Sequence, residues 1–99
     1  ANMLTKEQAV KFMVYRVLML EQASTLEDLY ELEEWAKNDI NYISKQRAMP
    51  PIEVGGVRRE VTRTVNKRAG ELEREAVAAK TFMLAMNALT RPLHNGAYR

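Results

Sequence analysis

Cysteine is absent from the 99 residues, and the chain has only three prolines, four glycines, one tryptophan and one histidine. Each scarcity removes a class of function. Without cysteine there is no disulfide, no thiolate metal site and no cysteine nucleophile, a composition that fits an intracellular protein. The lone histidine, His94, falls near the end of the sequence and reads as a surface residue. No serine or threonine stands beside a plausible base, so no nucleophile and base can be paired and no enzyme is expected. Gly55-Gly56 lacks the spaced glycines and the lysine of a phosphate loop, and no cofactor is expected. The longest near-apolar run, Phe12 to Leu20, contains Tyr15 and Arg16 and is far shorter than the roughly 20 residues of a membrane helix. No small-residue cleavage site accompanies it, so neither a span nor a secretory signal is expected.

What remains is ordinary for a globular protein: 46% hydrophobic and 28% charged residues, enough for one domain over residues 1–99. The net charge of +2 conceals a division. Glu21 to Asp39 holds seven acids against Lys37, and Arg58 to Arg68 holds five bases against Glu60. Both blocks fall on predicted helices, which favours complementarity between helices or between copies of the chain over steering of a foreign ligand.

The chain is organised around Val57 to Arg91. Val57, Val61, Val65, Ala69, Leu72, Ala76, Ala79, Met83 and Met86 recur at steps of three and four, within an arc of roughly 120° at ~100° per residue. Arg59, Arg63, Lys67 and Arg74 gather within about 80° on the opposite side. The spacing predicts a helix over 57–91, stopped by Pro92, with a tail over 92–99. Gly70 costs about 1 kcal/mol relative to alanine there and is read either as a point of close helix approach or as a bend. Beyond it, Phe82, Met83, Leu84, Met86 and Leu89 make the helix apolar on nearly every side, so this half is expected in a core or a self-association surface centred on Phe82, Met83 and Met86.

Upstream, Thr5 and Gln8 have the spacing of a capping box, which opens a helix over about 5–22. Its apolar residues cover more than one side. Ser24 and Thr25 precede Glu27 and Asp28 and start a second helix, about 25–46, with Leu29, Leu32, Ala36, Ile40 and Ile43 inward. Glu27, Glu31 and Glu34 form its outer acidic face, read as solvated, because the inward glutamates and Glu-x-x-His pairs of a metal-binding bundle are missing; no metal is expected. Glu33 lies among the inward residues and is expected to pair with Arg16. The short link makes the two helices an antiparallel hairpin. Pro50-Pro51 and Gly55-Gly56 then make residues 47–56 an extended connector.

The expected architecture is therefore all-α: an antiparallel two-helix hairpin, an extended Pro/Gly connector and a long third helix. The expected function is a non-enzymatic adaptor or assembly subunit that self-associates and docks on a larger protein. The alternative is a nucleic-acid-binding or regulatory protein using Arg59, Arg63, Lys67 and Arg74, although acids flank that stripe and no aromatic residue interleaves with it. A helical enzyme assembled at a dimer interface is a third class.

Overall fold

The computed structural model describes residues 3–97, with side chains as far as Thr90. Among these residues there are three α-helices and no strand: α1 (Lys6–Glu21), α2 (Leu26–Lys45) and α3 (Pro51–Ala97). The all-α expectation and the number of helices hold.

Local chemistry explains where the first two helices begin. Thr5 Oγ1 accepts the Gln8 N–H at 3.1 Å while Gln8 Oε1 accepts the Thr5 N–H at 2.9 Å, the reciprocal box expected from the spacing. Thr25 Oγ1 likewise accepts the Asp28 N–H at 3.0 Å, and Glu27 and Asp28 lie in the first turn of α2, where the helix dipole favours them. At the other end of α2, the Ala48 N–H reaches the Ile43 carbonyl and the Arg47 N–H reaches that of Ser44. That pattern is a Schellman closure, and it places Arg47 at φ 53°, the left-handed conformation usually given to glycine.

The start of α3 differs from expectation. Helix begins at Pro51, not at Val57, and the connector shrinks to residues 46–50. The Pro50 carbonyl accepts the N–H groups of Glu53 and Val54, both at 3.0 Å, so Pro50 serves as the cap and Pro51 as the first helical residue. A proline there loses nothing, because the N–H it lacks has no acceptor in the first turn. Gly55 and Gly56 are helical, with no positive φ, and the Arg59 guanidinium lies 3.5 and 3.8 Å from where their Cβ atoms would stand. The far end differs too: α3 continues past Pro92 to Ala97. Pro92 forfeits one hydrogen bond, but only about the last turn and a half lies beyond it, so the loss stays at the helix end. The side chain of His94 and residues 98 and 99 of the expected tail lie outside the described residues.

Thirteen apolar residues make one core: Ala9, Met13 and Leu20 from α1; Ala23; Leu29, Ala36, Ile40 and Ile43 from α2; Met49; and Val54, Val61, Val65 and Leu72 from α3. Lys6 pairs with Glu53 at 2.9 Å, and Arg68 reaches the carbonyl of Ala23, between α1 and α2, also at 2.9 Å. The starts of α1 and α3 are thus adjacent, and the end of α1 lies beside Arg68. The rise from Glu53 to Arg68, about 22 Å, matches the length of α1.

Everything in α3 after Leu72 leaves this core. Residues 73–90 are exposed without exception, an arm of about 27 Å. The molecule accordingly measures 80 × 23 × 16 Å, with a radius of gyration of 21.6 Å against about 13 Å for a compact chain of this length.

Candidate interaction surfaces

Arg68 is the least exposed of the ion-paired side chains among the described residues. Its side chain is 18% exposed; Nε donates to the Ala23 carbonyl, and Nη1 lies 3.8 Å from Glu71 and 3.7 Å from Glu75. A guanidinium suits this place because its several N–H groups diverge, so one residue ties the segment between α1 and α2 to α3 and neutralises two carboxylates at the root of the arm. The sequence does carry a signal for it: Arg68 falls in the same arc as Val61, Val65 and Leu72.

The other basic residues of this region divide in two. Arg58 donates to Asn41 Oδ1 at 3.1 Å and joins α3 to α2. Arg59, Arg63, Lys67 and Arg74 are exposed on the side of α3 away from the core. Arg63 is held by Glu60 at 3.2 Å, and Arg74 curls back over Gly70. The three atoms nearest to a Gly70 Cβ all belong to Arg74, at 3.2, 3.8 and 3.9 Å, so close approach of another helix is not what requires this glycine. Beside the stripe lies a groove of about 370 Å³ lined by Arg63, Lys67, Arg68, Glu21, Glu60 and Glu71. Its signs alternate, which gives it little net field for a polyanion.

On α2, Glu27, Glu31 and Glu34 are exposed, and Lys37 reaches both Glu33, at 3.8 Å, and Glu34, at 4.0 Å. The expected Arg16–Glu33 pair does not form. Arg16 Nε instead bonds Asp39 Oδ2, and its guanidinium lies 5.4 Å from the centre of the Trp35 ring. Asp39 and Glu33 are about 120° apart around α2, on opposite edges of its inward face, and only the Asp39 edge is turned to Arg16. No group of three metal-ligating side chains occurs among the described residues, and no helix there is long and apolar enough to cross a membrane.

Single apolar side chains such as Phe12, Trp35 and Ile52 are exposed, and among the described residues two larger apolar surfaces stand out. One is a groove of about 360 Å³ between α1 and α3, lined by Val10, Met13, Val14, Val17, Leu18 and neighbouring residues. The other is the arm, where Val77, Phe82, Met83, Leu84, Met86 and Leu89 are exposed by 43 to 69%. Of the two expected places for this half, a core or a self-association surface, the first is not met, because α1 ends and α2 begins beside Arg68 and no other element among the described residues extends along the arm. Set against models of known protein families, against curated proteins and against solved structures, the chain matches none.

Proposed function

We propose that the chain is a non-enzymatic helical adaptor or assembly subunit that self-associates through the α3 arm and docks on a larger protein. The scaffold in this reading is an antiparallel α1–α2 hairpin laid along the first half of α3, and the setting is intracellular, as the lack of cysteine suggests. The observation that carries the proposal is the exposure of every residue from 73 to 90, including six large apolar side chains. Four of them, Phe82, Met83, Met86 and Leu89, share one side of the helix and present on the order of 450 Å² of apolar surface, within the range of the largest patch a monomer leaves uncovered. With Ala76 and Ala79 beside them, that is more than half of the ~800 Å² per partner of a stable interface.

Multi-angle light scattering at tens of micromolar tests it. Wild-type protein should be at least dimeric, and Met83→Glu monomeric with its three-helix core still folded. A monomeric wild type removes the self-association half of the proposal, and recovery of the native protein without any bound partner removes the docking half.

The second reading is nucleic-acid binding along Arg59, Arg63, Lys67 and Arg74, supported by the outward exposure of all four. It is opposed by Glu60 on Arg63. Filter binding with duplex and single-stranded oligonucleotides separates the two, since only binding that persists near physiological salt and disappears when Arg59, Arg63 and Lys67 become glutamine favours this reading.

A further inference from the structure

The apolar stripe that α1 and α2 cover in the lower half of α3 continues into the arm without a change of phase. Val61, Val65 and Leu72 are followed, at the same steps of three and four, by Ala76, Ala79, Met83 and Met86. Phe82 and Leu89 widen that stripe to an arc of about 140°. Side-chain size is graded along it: small near the root at Ala76 and Ala79, large toward the tip at Phe82, Met83, Met86 and Leu89.

From this gradient we infer that the arm's occupant is the arm of a second copy, packed antiparallel about a two-fold axis between Phe82 and Met83. This rests on the self-association reading above and adds to it the interface and its direction. In that arrangement Ala76 meets Leu89 of the other copy, Ala79 meets Met86, and Phe82 meets Met83. Small thus faces large on both sides of a central Phe82–Met83 contact, which spreads the bulk more evenly between the two helices and lets their side chains interdigitate. A parallel pair sets Ala79 on Ala79 and Met86 on Met86, thin at one end and crowded at the other.

Length agrees with direction. An overlap centred there places residue 90 of one arm level with residue 75 of the other. Ala97, where α3 ends, then falls level with Arg68 and the segment it holds between α1 and α2, so the paired helices overlap along the free length as far as the edge of the three-helix core. The two-fold relation makes the contact closed, so it yields a dimer and not a filament.

The lack of native cysteine makes the test clean. In the antiparallel pair, residues 79 and 86 of different copies are neighbours, whereas the two copies of residue 79 are offset by about 10 Å along the axis, beyond the reach of a disulfide. Ala79→Cys and Met86→Cys variants, oxidised separately and as an equimolar mixture, should give disulfide-linked dimer mainly in the mixture, about tenfold more than either variant alone. Light scattering under reducing conditions establishes that both variants still associate. Linked dimer from each variant alone, with no gain on mixing, means a parallel pair and overturns the inference while leaving self-association intact. Association without links in any sample means that a different surface, such as the α1–α3 groove, is the contact, and also overturns it. A wild-type protein that stays monomeric removes the inference and the reading beneath it together.

Discussion

Arg68 is a charge built into the fold, and its replacement should separate structural from surface charge. In Arg68→Ala the Ala23 carbonyl loses a charge-assisted hydrogen bond, an interaction of about 1.5–3 kcal/mol. The ion pairs to Glu71 and Glu75 add at most about 1 kcal/mol, because they are long and those carboxylates are 40 and 65% exposed. The aliphatic stem, covered on most sides, adds a further contribution from packing. A total near 3 kcal/mol is expected, which lowers the melting temperature of a domain this size by about 12–24 °C. Arg68→Met keeps the stem and should cost about 2 kcal/mol. Arg63→Ala, whose side chain is 76% exposed, should stay within about 0.5 kcal/mol of wild type. Urea denaturation followed by circular dichroism at matched protein concentration measures all three. If Arg68→Ala and Arg63→Ala unfold together, Arg68 is not the tie between α3 and the end of α1.

Two backbone positions and one core position give further tests by the same assay. Gly70→Ala should raise stability by about 0.5–1 kcal/mol, because the new Cβ meets only the movable end of Arg74 while the helix gains propensity; a loss would point to a helix bend that the glycine permits. Arg47→Gly should stabilise by a similar ~0.5–1 kcal/mol by relieving the left-handed φ of 53°, and no change would mean that the greater entropy of glycine in the unfolded chain cancels it. Val61→Ala, at a residue only 1% exposed, should cost about 2–3 kcal/mol, and a loss below ~1 kcal/mol would mean that the core closes over the cavity.

Much of the fold was legible because its local signals agree with one another. The Thr5 and Thr25 caps, and the inward face of α2 from Leu29 to Ile43, follow from spacing alone. The start of α3 was not, since Pro50-Pro51 and Gly55-Gly56 read as breaks until Pro50 is seen as a cap with Pro51 in the first turn, where a proline is harmless. Arg16 was paired with Glu33 because the register between two helices depends on how their side chains interdigitate, which spacing within one helix does not specify. The boundary between core and arm is the deepest omission. Periodicity identifies a stripe but not what covers it, and the stripe crosses Leu72 in phase, so nothing in the pattern marks where α1 and α2 end. Arg68 offered the one available hint, a charge set among core positions just before that boundary.

In the proposed arrangement α3 has two halves with different supports, one held by α1 and α2 within the chain and the other by a second copy. Native-state hydrogen exchange, followed by mass spectrometry across a range of protein concentrations, tests this most directly. An exposed helix the length of residues 73–90 is marginal on its own, so its amides should exchange quickly in dilute protein and become protected as concentration rises. Amides from Val54 to Leu72 should keep the protection of the core at every concentration. Arm amides that remain unprotected at high concentration, or that match the core when dilute, would contradict the account.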